Sequence, residues 1–329
     1  MQASYSFPVK ELVRLVRRRG CKRVLLQAPN GLKYYVASLA RSLEEEAGVE
    51  VFVSTSSTFG PCDVDVLSAH AVGADLIVHM GHTRFLQEFE GVVFVPCFLS
   101  TDYKAVLEKF QQELKELSPL ALFTNAQHIH EIKSIQKELL KAGISTLVGV
   151  DPNKVLAPGQ VTGCNYTTLT AVAEKAKTLL FYGSGNFHAL GAYLITRKPV
   201  YVLDPLRSEL RCICERGEKV LRNRLFAISK FRDCRNVGIT MSAKTGQLQL
   251  EKSLELKRKL EDMGKRCILL VSNDVTPEAL LPYGMDCYVI TACPRIATDE
   301  YHRYPFPILS LNEAWIAIKG SWLENEYSF

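Results

Sequence analysis

Long apolar runs and a strong charge of one sign are both missing from this sequence of 329 residues. No apolar run approaches the roughly 18 residues that cross a bilayer, so the sequence predicts no membrane span. The first 19 residues have no apolar core of signal-peptide length and are rich in arginine, which predicts a cytoplasmic protein. A net charge of +5 is too small to argue for direct binding of nucleic acid.

Cysteine, in contrast, is plentiful, with ten in the chain. In a reducing compartment structural disulfides are uncommon, so we expect these cysteines to bind metal or to be buried as small apolar residues. Cys62 follows a β-branched run (Val49–Val53), a loop and a Gly-Pro turn, and it precedes a helical pattern. That order predicts a thiol between a strand and a helix, where the positive end of the helix dipole favours thiolate.

A second copy of this pattern occurs at Cys164, which also follows a glycine turn and precedes a helical stretch. In both copies a glycine that ends a buried strand comes 19 residues later, at Gly81 and at Gly183. A duplicated unit explains this agreement better than chance does. Duplicated cysteines in turn suggest a shared ligand.

Strand and helix patterns alternate along the whole chain, which is typical of parallel βαβ units. Gly48, Gly143 and Gly264 each end a helical pattern and mark three equivalent turns. The sequence therefore predicts an α/β fold of three triplicated domains, each a small parallel sheet flanked by helices. The predicted domains are residues 1–103 with Cys62, residues 104–205 with Cys164, and residues 206–329 with Cys293. The sequence predicts that residues 206–231 form a long, basic, helical connector. On such a helix Cys212 and Cys214 would point to different faces.

Cys62, Cys164 and Cys293 all fall in loops that follow strands, where parallel α/β units bind ligands. In the third domain the cysteine follows the next strand rather than the second. Three thiolates suit a [4Fe–4S] cluster with one iron left unligated by protein, or a zinc ion with an open position. Cys287 competes for the third place, but it begins its strand and so falls at the wrong edge of the sheet.

A glycine-rich loop, Gly183-Ser184-Gly185-Asn186-Phe187-His188, joins a predicted strand to a predicted helix. His188 replaces the third glycine of a dinucleotide fingerprint, so a nicotinamide site is weakly indicated. The loop better fits an adenosyl ligand close to the backbone. Asp204 lies at the end of the next strand, where a ribose-binding carboxylate would be. For His79 and His82 a structural role and a role in the site are equally open.

Four segments together resemble one known family. They are Gly60-Pro61-Cys62-Asp63-Val64-Asp65, Val78-His79-Met80-Gly81-His82, Gly183-Ser184-Gly185-Asn186-Phe187-His188-Ala189-Leu190-Gly191 and Ala292-Cys293-Pro294-Arg295-Ile296-Ala297-Thr298-Asp299. Over nearly its whole length the chain resembles the archaeal diphthamide biosynthesis enzymes, the 2-(3-amino-3-carboxypropyl)histidine synthases. It departs from them at Asn30, where aspartate is common, and at Ala189, where proline is usual.

The resemblance implies a homodimer of three-domain chains and a [4Fe–4S] cluster held by Cys62, Cys164 and Cys293. It also implies S-adenosylmethionine as the group donor and an external electron donor. The chain lacks the tight Cys-x-x-x-Cys-x-x-Cys motif of ordinary radical enzymes that use S-adenosylmethionine. We expect ligand contacts from Gly183, Gly185, His188 and Arg295, the last as a partner for a carboxylate.

In this family's reaction, as the resemblance implies it, the reduced cluster breaks the Cγ–S bond of S-adenosylmethionine. The resulting 3-amino-3-carboxypropyl radical adds to the imidazole C2 of a histidine in translation elongation factor 2. One rival interpretation is an enzyme like quinolinate synthase, which uses the open iron of a three-cysteine cluster as a Lewis acid. Another is a non-catalytic scaffold in which zinc joins the domains. Release of methylthioadenosine separates the first two interpretations, and loss of fold on Cys62→Ala would favour the third.

Overall fold

The computed structural model describes residues 5–84 and 89–320. Within these residues no helix combines the length and the apolar content that a bilayer crossing requires. Three sheets with helices between their strands make up the fold, and a two-stranded antiparallel sheet accompanies the first of them. The α/β class predicted from the sequence is therefore confirmed.

The first sheet contains four parallel strands in the order β3-β2-β4-β5. Its strands are fully parallel and its central strands are apolar, as expected when both faces are covered. Leu26 and Val78 are completely buried in the core that these strands form with α1 and α2. The elements of this part are β1 (Tyr5–Ser6), α1 (Val9–Arg19), β2 (Arg23–Gln27), α2 (Lys33–Ala47), β3 (Glu50–Val53), α3 (Val66–Val72), β4 (Leu76–Met80), β5 (Val92–Val95) and β6 (Phe98–Leu99).

The second sheet has the order β8-β7-β9-β10-β11, with β11 the only antiparallel strand in it. Leu122 and Leu180 lie in the core beneath α6. The elements are α4 (Tyr103–Lys109), α5 (Gln111–Leu117), β7 (Leu120–Thr124), α6 (Ile132–Lys141), β8 (Thr146–Leu147), α7 (Thr167–Ala173), β9 (Thr178–Tyr182), α8 (Phe187–Thr196), β10 (Val200–Asp204) and β11 (Glu209–Cys212).

The third sheet is again parallel, in the order β13-β12-β14-β15. A buried ion pair joins α9 to α13 beside it, in which Arg224 Nε and Nη2 each lie 2.7 Å from the Glu313 carboxylate. The elements are α9 (Cys214–Asp233), β12 (Asn236–Ser242), α10 (Leu250–Asp262), β13 (Arg266–Ser272), α11 (Pro277–Leu280), β14 (Cys287–Ile290), α12 (Pro294–Asp299), β15 (Ile308–Ser310) and α13 (Leu311–Lys319). Short 3₁₀ turns occupy Asn30–Leu32, Leu281–Tyr283 and Tyr301–Arg303.

The same strand order recurs in all three sheets. If the parallel strands of each sheet are counted along the chain, the second lies at one edge, followed by the first, the third and the fourth. Gly48, Gly143 and Gly264, which follow the helix between the first two strands, all have a positive φ of 70° to 82°. Glycine adopts this left-handed conformation without strain, so the three predicted helix-ending turns are confirmed.

The chain divides into two compact units. One unit consists of Met1–Ala189 with Lys198–Cys212 and contains the first and second sheets. The other consists of Leu190–Arg197 with Ile213–Phe329 and contains the third sheet. The boundaries of three separate domains at residues 103 and 205 stay a prediction.

The predicted helical connector over residues 206–231 is wrong in its first part. After Asp204 the chain reverses, and β11 pairs with β10 in antiparallel register, with Asp204 opposite Glu209. The Asp204 carboxylate accepts hydrogen bonds from the amides of Leu206 and Arg207 at 3.0 and 3.2 Å, which stabilises the turn after Pro205. Aspartate and proline are the residues that favour such a turn over a helix. Helix α9 begins only at Cys214.

Candidate active site

Cys62 lies in the loop between β3 and α3, beyond the carboxyl end of β3, and is half-buried. The Asp63 amide donates to the Gly60 carbonyl at 3.0 Å, which closes a turn around the cysteine. The Asp63 carboxylate is itself buried and accepts from the Phe59 amide at 3.2 Å. The thiol is therefore presented by a short, hydrogen-bonded turn at the end of a strand.

Gln27 ties this loop to the first sheet. It is the last residue of β2 and is 1 % exposed. Its Nε2 donates to the Asp63 carbonyl at 2.7 Å, and its Oε1 accepts from the Asp65 amide at 2.8 Å. Both ends of one buried amide thus hold the backbone directly after Cys62.

Asp65 caps α3. Its Oδ1 accepts from the Ser68 amide at 3.0 Å and its Oδ2 from the Ser54 hydroxyl at 2.5 Å. Burial alone would raise the pKa of this carboxyl, but the hydrogen bonds from Ser54 and Ser68 outweigh burial and leave the pKa below its ordinary value. A carboxylate therefore occupies the positive helix terminus that the sequence assigned to the Cys62 thiolate.

Replacing Asp65 by alanine is expected to lower the free energy of unfolding by about 1 to 2 kcal/mol, since both the cap and the Ser54 bond are lost. The pKa of Asp65 is lowered in the folded chain, so its contribution is present above the ordinary pKa of 3.8 and disappears as the pH falls further. Urea unfolding measures both effects. Asp102→Ala is the matched control, because Asp102 caps α4 through the Ala105 amide alone. A cost no greater than that of the control would contradict the role of the Ser54 bond.

Two histidines follow at the end of β4, beside Gln27. His79 is opposite Gln27 in the parallel register and is completely buried. Its Nε2 lies 2.8 Å from His82 Nδ1, and its ring lies 4.9 Å from that of Phe94. Burial, and to a smaller extent the neighbouring His82, lower the pKa of His79 to about 3; burial also lowers the pKa of His82 to about 4. The pair is therefore neutral at physiological pH.

Cys164 lies in the equivalent loop of the second sheet, between β8 and α7, and is half-buried. The Thr162 amide donates to the Asn165 carbonyl at 3.0 Å, and the Asn165 amide donates to Thr162 Oγ1 at 3.1 Å. Asn165 Oδ1 then accepts from the Thr167 amide at 3.1 Å, at the start of the helix. Cys164 is thus held in a closed turn directly before α7.

The glycine-rich loop lies against the Cys164 loop. The Tyr166 hydroxyl donates to the His188 carbonyl at 3.0 Å. Gly163 packs on the Phe187 ring so closely that a Cβ would lie 2.7 Å from it. The structure therefore brings two of the predicted segments together at one edge of the second sheet.

Within this loop Gly183 and Gly185 have φ of 148° and 80°, a region that favours glycine. A Cβ on Gly183 would lie 2.9 Å from the Phe181 ring, whereas a Cβ on Gly185 would meet nothing within 4 Å. The His188 ring stacks on Phe181 with 5.6 Å between centroids and 26° between planes. Gly183 is thus required by packing, and Gly185 by its backbone conformation.

Asp204 and Arg211 fasten the same loop from the neighbouring strands. Asp204 is 1 % exposed, and its Oδ1 accepts from the Ser184 hydroxyl at 2.7 Å. Arg211 Nη2 donates to the Gly185 carbonyl at 3.2 Å and to Asn186 Oδ1 at 3.0 Å. The sequence predicted Asp204 at the position of a ribose-binding carboxylate. It could not place Arg211 beside this loop, because residues 206–231 were predicted to form one helix.

Cys293 belongs to the other unit, where it is half-buried and lies at the N-cap of α12 beyond the carboxyl end of β14. Arg295, in the first turn of α12, is 3 % exposed. Its Nε and Nη2 contact the Asp299 carboxylate at 2.5 and 2.8 Å. The Thr298 hydroxyl donates to the same carboxylate at 2.7 Å. The guanidinium predicted to meet a ligand carboxylate thus already pairs with an internal one.

Other cysteines lie outside the loops of Cys62, Cys164 and Cys293. Cys287 begins β14 at the amino edge of the third sheet, as predicted, and it is completely buried. A hydrogen bond with Cys234 and burial both raise the pKa of its thiol. Cys97 is also completely buried, and burial raises the pKa of its thiol to about 12. Cys212 is exposed on β11. No disulfide joins any of the ten cysteines, all of which lie within the described residues.

The three predicted ligands share a setting that fits an iron–sulfur cluster. Each is half-buried in a loop between the carboxyl end of a strand and a helix. Gly60 lies directly beside one thiol, since a Cβ there would contact Cys62 Sγ at 3.5 Å. Among residues 5–84 and 89–320, no three His, Cys, Asp or Glu side chains are grouped to hold one metal ion. A cluster would bind each thiolate through a different iron, so its ligands need not share one metal ion.

A cavity of about 630 Å³ lies elsewhere, at the amino edge of the first sheet. Its lining includes Lys22, Arg23, Glu50 and Asp75. Ligands of parallel α/β sheets bind at the carboxyl edge, where the cysteine loops are. The cavity is therefore not part of the candidate site.

Comparison with known proteins identifies the family of this chain. The family model for diphthamide synthesis proteins matches residues 28–328. The 2-(3-amino-3-carboxypropyl)histidine synthase of Pyrococcus horikoshii is 34 % identical over 99 % of this chain and 93 % of its own length. Subunit 1 of the corresponding enzyme from Caenorhabditis elegans is 28 % identical over 97 % of this chain and 81 % of its own length.

Solved structures give the same result. The crystal structure of Dph2 from Pyrococcus horikoshii superposes with a TM-score of 0.88 and 33 % sequence identity, covering 100 % of this chain and 94 % of that one. The same protein was also solved with a 4Fe-4S cluster, and that structure matches equally well. The extent of these similarities leaves one assignment: the chain belongs to the diphthamide synthesis protein family.

Proposed function

We propose that this chain is a 2-(3-amino-3-carboxypropyl)histidine synthase. It transfers the 3-amino-3-carboxypropyl group of S-adenosylmethionine to the imidazole C2 of a histidine in translation elongation factor 2. The transfer replaces the C2 hydrogen, so the products are the modified histidine, methylthioadenosine and one proton. The observation that carries the proposal is similarity to a synthase of this name over 99 % of the chain, with a cysteine loop at a strand end in each third.

Cys62, Cys164 and Cys293 are the residues that would hold a [4Fe–4S] cluster. When bound, the cluster supplies the electron with which the Cγ–S bond of S-adenosylmethionine is cleaved. Their half-buried loops suit this task, because a cluster must be shielded from water and still be reached by a substrate. An external donor delivers the electron, and a second copy of the chain completes a homodimer.

Gly183, Gly185 and His188 would contact the adenosyl part of S-adenosylmethionine. The two glycines leave the loop backbone without side chains, so a ligand can approach its amides. Stacking on Phe181 and the hydrogen bond from Tyr166 fix the position of His188. Arg295 would bind the ligand carboxylate, and to do so its guanidinium must be shared with Asp299.

The test is an assay for methylthioadenosine. The chain is purified and reconstituted without oxygen, reduced with dithionite, and incubated with S-adenosylmethionine and elongation factor 2. We expect methylthioadenosine together with an elongation factor that is heavier by one 3-amino-3-carboxypropyl group, as measured by mass spectrometry. A reduced, iron-loaded chain that releases no methylthioadenosine would contradict the proposal. An elongation factor that lacks the target histidine serves as the control for transfer.

A further inference from the structure

One residue of the first sheet, Gln27, makes two hydrogen bonds to the backbone of the Cys62 loop, one through each polar atom of its side chain. Gln27 lies 36 residues away in sequence, at the end of the central strand β2. Its amide bonds of 2.7 and 2.8 Å reach the carbonyl of Asp63 and the amide of Asp65. A side chain thereby continues the hydrogen bonding of the strand into a loop.

No other side chain supplies this pair of bonds at this length. A glutamate has no donor for the Asp63 carbonyl when it is ionised, and an asparagine is one methylene shorter. A leucine of similar size would remove the partner of the buried Asp63 carbonyl and of the partly buried Asp65 amide, and leaving the buried group unpaired costs more than its bond contributes. Gln27 is 1 % exposed and Asp63 is 6 % exposed, so the bond to the Asp63 carbonyl is closed to water, and the bond to the Asp65 amide is partly buried.

We infer that Gln27 is a positioning residue for Cys62. It fixes the two peptide groups that follow the cysteine and so sets where the thiol stands, without touching a ligand itself. The turn closed by the Gly60 carbonyl and the Asp63 amide carries this constraint to Cys62, which lies inside it. The inference rests on the proposed function, in which Cys62 binds the cluster.

Amide exchange in the metal-free chain tests the constraint directly. The Asp65 amide is protected by Gln27 Oε1, so Gln27→Leu should speed hydrogen–deuterium exchange in peptides covering residues 59–66 by about tenfold or more. Gln27→Asn, which cannot reach both groups, should do the same if the leucine variant folds poorly. Gln136→Leu is the matched control, because Gln136 makes a comparable bond to the Thr146 carbonyl in the second sheet. Unchanged exchange in residues 59–66 of a folded variant would overturn the inference.

Cluster retention gives the second readout. After reconstitution, Gln27→Leu should lose iron to a chelator about tenfold faster than the wild type and the Gln136→Leu control, because one thiolate is less well placed. Equal rates of iron loss, with faster exchange, would show that Gln27 orders the loop without positioning the ligand. If Cys62→Ala also keeps its iron, the proposed ligand set fails, and the exchange result at Asp65 still stands or falls by itself.

Discussion

Alanine at Cys62, Cys164 or Cys293 is expected to give a folded chain that holds no iron after anaerobic reconstitution. Each thiolate of a three-cysteine cluster binds a different iron, so removing one leaves a second iron unligated by protein, and the cluster is lost. The wild type should carry about four irons per chain and bleach on reduction with dithionite. Iron and sulfide assays, together with the visible spectrum, measure the loss.

The controls separate ligands from cysteines in general. Cys212→Ala changes an exposed thiol on β11, and Cys97→Ala changes a buried one with a raised pKa. Both should keep the wild-type iron content. Iron that survives loss of all three proposed ligands would contradict the ligand set, and a colourless wild type loaded with zinc would contradict the cluster. Circular dichroism of the Cys62→Ala variant tests whether the metal only joins the folded parts, in which case the fold would be lost as well.

Mild acid is expected to destabilise the chain through the buried His79 and its partner His82. In the folded chain the pKa of His79 is lowered from 6.5 to about 3 by burial first and by His82 second. A group with a lowered folded pKa contributes stability above its unfolded pKa and loses it as the pH falls toward the folded value. Below pH 6.5 the unfolded chain takes up the proton and the folded chain does not. The loss is about 1.4 kcal/mol for each pH unit at a fully buried histidine.

Urea unfolding at pH 7.5, 6.0 and 5.0 measures this dependence, with the metal-free protein so that ligand binding does not contribute. These pH values lie above the range in which carboxylates titrate, so histidines dominate the change. His79→Gln should flatten the loss between pH 6.5 and 5 by about 2 kcal/mol, whatever it costs at neutral pH. His70→Gln, at an exposed position on α3, should leave the slope as it is. An unchanged slope in His79→Gln would mean that the pair is already protonated in the folded chain.

Features that repeat along the chain could be predicted from the sequence. In the first two repeats a glycine follows the cysteine by 19 residues, at Gly81 and Gly183. These glycines directly follow β4 and β9, which are the third strands of their sheets. Strands could be predicted from apolar runs, and helix ends from glycines that adopt a left-handed backbone, because both features depend on residues close in sequence. The three cysteine loops could be located for the same reason.

Contacts between distant residues could not be predicted in this way. Gln27 and the Cys62 loop are joined across 36 residues, and nothing in the local pattern of β2 distinguishes this glutamine from an ordinary polar strand end. The Arg295–Asp299 pair is different, because its i, i+4 spacing is a local signal that the sequence does contain. The β11 hairpin was missed because a basic stretch of good helix formers outweighed the Asp204-Pro205 turn signal.

In the third sheet the cysteine follows a different strand than in the first two sheets. Cys62 and Cys164 follow the second strand of their sheets, whereas Cys293 follows the third, at the position that the glycine-rich loop has in the second sheet. The three sheets share one strand order, but the strand that their cysteine follows differs between them. Segment 273–276 occupies the corresponding position after the second strand of the third sheet and contains no cysteine. Among relatives with different protein partners, insertions should accumulate there before they appear in the other two second-strand loops.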